Sequence, residues 1–382
     1  MAYTWEGKAP RVNQITKWTI SSNTNTHTFI LSAANPAGTP TAAVTFLTVT
    51  ADGALTTTQL AAAVVTAFNL LKHPWALAVT CTSDTNIVTF TANVAGVPFV
   101  FSKTGTGTST LTTTTANSGP NDWSVPGNWK EGAIPTSTSY IYISGDVPIL
   151  YGLAQSAVTG NYVDVNGYSA DIGTLGTPLQ LGITELDFDG FGSAWFDLAS
   201  GTYGAVNIHN SVAGDGRGVF FDLGTITALN VWGGSVWLNN NQEGNTVITT
   251  ISIYGGSVLK KNGGAVTTVN QDGGTFVNES GATTITINGG SMVNPINTTF
   301  GPTTLTMNGG FLSVGGANGT IGTFNLNGGI ADLIPTKAAK TITTLNHARS
   351  GTIRLNKSII TVTTWTQDGP METRAAGVEA TR

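Results

Sequence analysis

Pairs of glycines that follow short alternating segments are the feature of this 382-residue chain that most constrains its fold. Successive pairs lie 16 to 22 residues apart, and two degenerate copies end near Gly351 and Gly369. A repeat of this size cannot bury its own apolar face, so the copies must stack on one another. The six clear pairs begin at Gly233, Gly255, Gly273, Gly289, Gly309 and Gly328.

Each glycine pair predicts a tight turn that needs positive φ, which glycine adopts at little cost. The predicted turn residues are Gly255, Gly256, Gly273, Gly274, Gly289, Gly290, Gly309, Gly310, Gly328 and Gly329. In four central copies the preceding residue is Asp272, Asn288, Asn308 or Asn327. Asp and Asn tolerate left-handed backbone, and stacked amides can hydrogen-bond from coil to coil.

Alternating apolar residues in each copy are predicted to form ladders inside a parallel β-helix, or β-solenoid. Coils spaced by ~4.8 Å would make eight copies about 35–40 Å long. Differences in repeat length are expected in loops on one side, as at 294–299, and the stretch 161–222 is interpreted as irregular first coils. The inward pairs are Leu229/Val231, Ile251/Ile253, Ile285/Ile287, Leu305/Met307 and Phe324/Leu326.

The N-terminal part predicts a small α+β domain over residues 1–102. Thr56 and Gln59 form a capping box, and Pro74 is expected to end the helix that follows. The helix should lie on an antiparallel sheet through one apolar stripe, Leu60, Val64, Phe68 and Leu71. The predicted strands are 15–20, 28–31, 43–49, 87–91 and 99–101.

The remaining boundaries follow from composition. Residues 103–135 are interpreted as a Thr/Gly-rich linker followed by a tryptophan-containing turn, in which Trp123 and Trp129 would cover the open end of a core. The parallel β-helix is assigned to 136–370 and a polar tail to 371–382. The predicted fold class is therefore mainly β, with a small α+β domain before a solenoid.

Charge and cysteine content exclude several classes of function. Only 10% of residues are charged and the net charge is −5, so a basic surface for nucleic acid is absent. The single Cys81 excludes an internal disulfide and a multi-thiolate metal site, and we expect it to be a small buried side chain. We find no export signal or membrane span in the sequence, and we expect no membrane partner.

The best candidate for chemistry is the carboxylate set Glu185, Asp187 and Asp189. Positions i, i+2 and i+4 share one face of a strand. Paired carboxylates serve glycoside hydrolysis, with Trp195 nearby to stack a sugar ring, and they also suit Ca²⁺. The third interpretation is a solvated strand edge whose alternate residues face inward. We favour this last interpretation and predict no catalytic residue and no resident metal.

Other candidate residues are isolated. The histidines His27, His73, His209 and His347 lack a metal-type spacing, and no cofactor is predicted. The aromatic residues Trp232 and Tyr254 precede glycine pairs, where they would either bind glycans or stack from coil to coil.

Two segments carry a resemblance to known families. The pattern ALTTTQLAAAVVTAFNLLKHP…VTCTSDTNIVTFTANVAGVPFVFS looks like a small domain that recurs in phage structural proteins. The following NDWSVPGNWKEGAIP is similar to tryptophan-rich segments of phage and prophage proteins, and to the repeat starts of bacterial autotransporter β-helices. The resemblance covers roughly residues 40–150 and implies an exterior structural role, without catalytic residues to carry over.

These observations predict a non-enzymatic virion structural protein, a capsid decoration or auxiliary protein on the outside of a phage shell. The expected partners are the major capsid protein, other virion proteins and further copies of the chain, as a homotrimer assembled in the host cytoplasm. A tail fibre or tailspike that binds host-surface glycans is the alternative, and a bacterial surface adhesin is a third. An uncharged, Thr- and Asn-rich surface suits all three.

Overall fold

The computed structural model describes residues 1–22, 28–34, 44–51, 55–197, 202–212, 217–240, 245–295, 298–315, 319–334, 336, 339–355 and 359–368, apart from the side chain of Phe46. The strands described form four sheets. The two larger sheets are parallel and the two smaller ones antiparallel. Mainly β structure, with a parallel solenoid and a small α+β region, confirms the predicted fold class. The predicted tail 371–382 and Gly369 lie outside the described residues.

The N-terminal region folds as two antiparallel sheets and one long helix. The elements of this region, together with the first strand of the chain, are β1 (Ala2–Thr4), β2 (Ile15–Ile20), β3 (Thr28–Ala34), β4 (Val44–Thr50), α1 (Thr57–Asn69), α2 (Pro74–Leu77), β5 (Val79–Asp84), β6 (Ile87–Ala92), β7 (Val100–Thr104) and β8 (Ser109–Thr115). The first sheet has the order β5-β6-β2-β8 and the second β4-β3-β7. The sequence predicted a single antiparallel sheet here, whereas the structure has two.

The helix α1 begins with the capping box expected from the sequence. The Gln59 backbone N–H donates to Thr56 Oγ1 at 3.3 Å, and the Thr56 backbone N–H donates to Gln59 Oε1 at 2.8 Å. The predicted stripe is buried at Leu60, Val64 and Phe68. The helix ends at Asn69, before Pro74. Pro74 instead begins α2, where a missing N–H costs no hydrogen bond.

The solenoid consists of coils that each contribute one strand to a long sheet. From Gln180–Gly190 to Lys340–His347, each of these strands is followed by one strand of a second sheet. The long sheet begins with β1 and continues with β9 (Tyr140–Ile143), β10 (Ala154–Tyr168), β11 (Gln180–Gly190), β13 (Thr202–Asn210), β15 (Thr225–Val231), β17 (Val247–Ile253), β19 (Val266–Gln271), β21 (Ala282–Ile287), β23 (Thr304–Met307), β25 (Thr320–Leu326), β27 (Lys340–His347) and β29 (Ile360–Gln367). The second sheet contains β12 (Ala194–Phe196), β14 (Val219–Phe221), β16 (Ser235–Leu238), β18 (Ser257–Lys260), β20 (Thr275–Asn278), β22 (Ser291–Asn294), β24 (Phe311–Val314), β26 (Gly329–Asp332) and β28 (Gly351–Arg354).

The core of the solenoid is built from in-register apolar ladders. Leu229 pairs with Ile251 and Val231 with Ile253, and the predicted inward residues are all fully buried. The irregular coils expected in 161–222 are present as β10 to β14. The two degenerate copies are present as well, because β27 and β29 continue the same ladder.

Each glycine pair joins a long-sheet strand to a second-sheet strand, and the two glycines are needed for different reasons. The second glycine of each clear pair has φ between 66° and 79°. The first has ordinary φ, but its Cα lies against the carbonyl oxygen of the coil below. A Cβ at Gly289 would collide with the Asp272 carbonyl oxygen. The turn therefore requires one glycine for its backbone conformation and one for close approach.

The structure changes the predicted bounds of the N-terminal domain, both at residue 102 and at residue 1. Strand β8 lies within the predicted linker, yet its residues pair with β2 as an edge of the N-terminal sheet. Strand β1 lies within the predicted domain, yet Ala2–Thr4 pairs with β9 of the solenoid. The α+β domain is thus inserted into the first coil. Val12 pairs with Ser118 where the chain enters and leaves the inserted domain.

A tryptophan cluster lies at the N-terminal end of the solenoid core. The rings of Trp123 and Trp129 are 4.7 Å apart at 76°, and Trp5 packs on Trp129 at 5.2 Å. All three are buried, and Trp129 Nε1 donates to the Trp123 carbonyl oxygen at 2.9 Å. Trp5 comes from the segment before the inserted domain, so chain segments from both sides of the insertion form this cluster.

The glycine turns generate a stability prediction. We expect Gly289→Ala to lower the free energy of unfolding by about 1–3 kcal/mol, because the new Cβ meets backbone that is hydrogen-bonded into the ladder. Gly281→Ala is the matched control, since a Cβ there meets no atom within 4 Å. Thermal unfolding followed by circular dichroism measures both. Equal melting temperatures for the two variants would contradict the close-approach argument.

Candidate binding faces of the solenoid

The outward face of the long sheet changes character along the solenoid. On its later strands, outward positions are Thr, Asn and Ser, as at Thr304, Thr306 and Asn325. On the first strands they are aromatic and acidic. Glu185 pairs with Tyr162, and Asp187 pairs with Asp164, which in turn pairs with Tyr142. The first coils therefore present a surface that the remaining coils lack.

We call this surface the aromatic–carboxylate strip. It consists of outward side chains from β9 to β13, extended by the aromatic residues at the turns after β15 and β17. No Lys or Arg occurs on β9, β10, β11, β13, β15 or β17, whose residues are all described. The strip residues are Tyr140, Tyr142, Tyr162, Asp164, Glu185, Asp187, Asp189, His209, Trp232 and Tyr254.

The three candidate carboxylates lie on one face, as expected, with Leu186 and Phe188 buried beneath them. Within the described ranges, no three His, Cys, Asp or Glu side chains are arranged to hold a metal ion. The strand geometry spaces the carboxylates in a line about 6–7 Å apart instead of converging them. The geometry thus adds nothing to the Ca²⁺ alternative.

Asp187 is the hydrogen-bonded centre of the strip. Its Oδ2 accepts from the Tyr162 hydroxyl at 2.6 Å, and its Oδ1 accepts from Asn207 Nδ2 at 2.7 Å. His209 Nε2 lies 3.8 Å from the same Oδ1. Asn230 continues the line by donating to Asn207 Oδ1 at 2.9 Å. These contacts hold Asp187 in place, while Glu185 and Asp189 are exposed.

The pKa values of two strip residues reflect the local charge. The pKa of Asp164 is raised by its partial burial and by the charges of Asp187 and Asp189. The pKa of the Tyr162 hydroxyl is raised chiefly by its hydrogen bond to Asp187. Both shifts have the direction expected where several carboxylates crowd on one surface.

Trp195 does not lie on the same face of the solenoid as the carboxylates. It lies on β12 in the second sheet, where its ring stacks on Phe220 at 5.0 Å. The sequence places Trp195 only six residues after Asp189, but the chain turns from one sheet to the other between them. The proposed sugar-stacking partner of a hydrolytic carboxylate pair is therefore on a different face. The hydrolase interpretation loses this support.

The residues before the glycine pairs stack from coil to coil. Trp232 packs on His209 at 4.8 Å and on Tyr254 at 5.2 Å, with the planes within 13°. The stack continues as an amide ladder: Asn288 Nδ2 donates to Asp272 Oδ1 at 2.6 Å, and Asn308 Nδ2 donates to Asn288 Oδ1 at 2.7 Å. Both arrangements follow from equivalent positions lying one coil apart, as predicted for the amides.

The outward face of the second sheet has two columns of residues. One column is Ser or Thr at Ser235, Ser257, Thr275 and Ser291, and the other is an apolar band. The band's column runs along the paired strands β12 to β22, and its residues are half-buried by their own neighbours except for Phe220, which is buried. Phe311 and Ile330 extend this apolar band on the adjacent column. The only charged outward residues described on this sheet, Asp332 and Arg354, lie 3.9 Å apart near its C-terminal end. The column consists of Trp195, Phe220, Trp237, Leu259, Val277 and Val293.

Two lysines lie inside the solenoid. Lys260 Nζ donates to the carbonyl oxygens of Lys261 and Gly263, and Lys340 Nζ donates to the Phe300 carbonyl oxygen at 2.5 Å. Both side chains are buried, and burial lowers the pKa of each to about 8. Both ammonium groups donate to backbone carbonyl oxygens on the loop side of the coil. No strand of the described residues lies there to donate a backbone N–H to those oxygens.

The other singled-out residues are dispersed. His73 caps α2, His347 lies beside Trp365 at 6.1 Å, and His27 lies outside the described residues. Cys81 is buried, as expected, and burial raises its thiol pKa to about 12, so the thiol is unreactive at neutral pH.

The N-terminal domain has an open groove of about 360 Å³ between β7 and β8, lined by residues that include Phe99, Phe101 and Leu111. It lies where β7 and β8 are the edge strands of their two sheets. No described helix is long and apolar enough to cross a bilayer.

Comparison with known proteins found no matching family model, no similar curated protein and no similar solved structure. The outward faces of the long sheet and of the second sheet are therefore the basis for a proposed function.

The buried lysines generate a pH prediction. Between about pH 8 and 10 the unfolded chain, in which lysine has its ordinary pKa near 10.5, binds more protons than the folded chain. The two lysines should therefore make stability rise with pH in this window, by at most about 1.4 kcal/mol per pH unit each. From about pH 9 the raised thiol pKa of Cys81 offsets part of this rise, because the folded chain keeps a proton that the unfolded chain loses. Urea unfolding at pH 8, 9 and 10 measures the slope. Lys260→Met and Lys340→Met should each reduce it, and a wild-type stability that falls across the window would contradict the argument.

Proposed function

We propose that the chain is a non-enzymatic structural protein on the outside of a phage particle. In this role it would be a capsid decoration protein whose copies associate with one another and with the shell. The observation that carries the proposal is the uncharged apolar band on the second sheet, a surface of the kind that marks a protein interface. The tryptophan-rich segment and the N-terminal pattern support the assignment to a virion by resemblance only.

The apolar band suits a second copy of the chain because it carries almost no charge to desolvate. Nine strands spaced by ~4.8 Å, each three or four residues or about 10–13 Å wide, give the whole face a footprint of roughly 400–500 Å². A standard interface buries about 800 Å² on each partner. Self-association through this band alone should therefore be weak, and contacts with the shell or through the N-terminal domain would complete it. A homotrimer is the arrangement that we propose.

The long sheet would then face outward, since its Thr, Asn and carboxylate side chains are well solvated. Packing, backbone hydrogen bonds and stacked amides give the rod its rigidity without disulfides. Such a rod could bridge neighbouring shell subunits and oppose internal pressure by binding the assembled shell more strongly than separate subunits.

A second candidate function, a tail fibre or tailspike that binds host-surface glycans, is favoured by a separate observation. The aromatic–carboxylate strip exposes rings beside hydrogen-bond acceptors, a combination that the shell-binding proposal does not use.

Self-association is tested by placing a charge in the apolar band. Val277→Asp should shift the chain to monomer in light scattering and weaken association at least tenfold, because the carboxylate would be desolvated without a partner. Thr268→Asp is the matched control: it puts the same charge on the outward face of the long sheet and should leave association unchanged. A wild-type chain that stays monomeric at every concentration and fails to bind capsids would overturn the proposal.

Location on the particle is tested by copy number. Quantitative gel analysis of purified particles should give a number comparable with that of the major shell subunit. A few copies per particle would contradict shell decoration and support the tail candidate.

A further inference from the structure

Two of the three tyrosines closest to the carboxylates, Tyr140 and Tyr142, are exposed, Tyr162 is half-buried, and none of the three packs face to face with another. Tyr140 and Tyr142 are 45% and 37% exposed. Each ring lies 6.5 Å from the Tyr162 ring, at 51° and 67° respectively. These tilts leave ring faces open to a ligand. The rings of His209, Trp232 and Tyr254 differ from these tyrosines, because they stack face to face and cover one another. We do not include them in the proposed binding site.

Carboxylates lie directly beside the tyrosine rings. Asp164 occupies the coil after Tyr142, and Glu185 occupies the coil after Tyr162, so each is about 4.8 Å further along the solenoid. An ionised carboxylate accepts several hydrogen bonds and donates none. A ligand that lies on the rings would therefore meet acceptors that need hydroxyl or amino donors, and bonds to these charged acceptors are about twice as strong as neutral ones.

The charge of the strip restricts the ligand further. Four carboxylates and no Lys or Arg lie on β9, β10, β11, β13, β15 and β17, so the local potential is negative. An acidic ligand would add like charges to carboxylates that already repel one another. A flat face without a deep pocket also lacks the desolvated centre on which protein interfaces depend.

We infer that the strip binds a glycan chain that carries hydroxyl or amino groups and no acidic groups, with Tyr140 and Tyr142 stacking on its sugar rings. The inference rests on the glycan-binding candidate and specifies its ligand class. It is independent of self-association, which uses the other sheet. It also holds for either location on a particle.

The experiment measures binding of the full chain to immobilised polysaccharides of defined charge: a neutral N-acetylglucosamine hexamer, its deacetylated and cationic form, and the acidic polymers hyaluronan and polysialic acid. We expect binding to the neutral or the cationic hexamer, or both, and none to the acidic polymers. Binding to neither hexamer by a folded sample would overturn the inference.

Variants assign the binding to the strip. The double variant Tyr140→Ala/Tyr142→Ala should weaken binding at least tenfold. Thr304→Ala/Thr306→Ala changes outward positions of β23 in the same sheet and should have no effect. Glu185→Gln/Asp189→Asn should reduce the preference for the cationic hexamer. Glycan binding unchanged in the tyrosine variant would place the site elsewhere and reject the inference.

Two further arms separate competing outcomes. Poly-lysine tests a basic peptide as the occupant: salt-sensitive binding of poly-lysine without binding of either hexamer would indicate a protein partner and reject the glycan. Val277→Asp should keep the glycan affinity of each chain while losing self-association. Failure of the apolar interface and failure of the glycan site are therefore distinguishable in the same set of proteins.

Discussion

Hydrogen bonding between successive coils is the constraint on which the rest of this structure depends. The Ser257, Thr275 and Ser291 backbone N–H groups each donate to a glycine carbonyl oxygen one coil earlier, at 2.8 to 2.9 Å. The same parallel pairing runs through both sheets. It brings the backbone of consecutive turns so close that a side chain on the first glycine of a pair has no room, and it places each residue directly above its equivalent.

Stacking of equivalents makes each outward face chemically uniform over several coils. Amides therefore stack on amides, aromatic rings on aromatic rings, and valines on valines, because equivalent positions of successive coils are adjacent. The two faces acquire different chemistry as a result, one apolar and one polar with an aromatic and acidic start. On the loop side of the coil, Lys260 and Lys340 bind backbone carbonyls that no described strand pairs.

Much of the architecture could be predicted because its signals are local. The Thr56 capping box, the alternation of Ile251 and Ile253, and the Asn308 position each depend on a few neighbouring residues. The second sheet was missed because a strand such as Ser257–Lys260 has only four residues, of which Val258 and Lys260 face inward. A buried lysine obscures the apolar alternation, so no periodic signal remains. Of the candidate site, the shared face of Glu185, Asp187 and Asp189 was predictable, whereas its tyrosines were not.

The sequence by itself determined the long-sheet strands of the regular coils, the glycine turns and which residues of those strands face inward, because period-two alternation and glycine chemistry act within one coil. Only the tertiary structure decided which coils stand next to one another and which residues share an outward face. Loop lengths set that register, and the inserted domain separates β1 from its partner β9 by more than a hundred residues. Tyr140 therefore lies beside Tyr162, and Trp195 lies far from Asp189's face, for reasons that no local pattern contains.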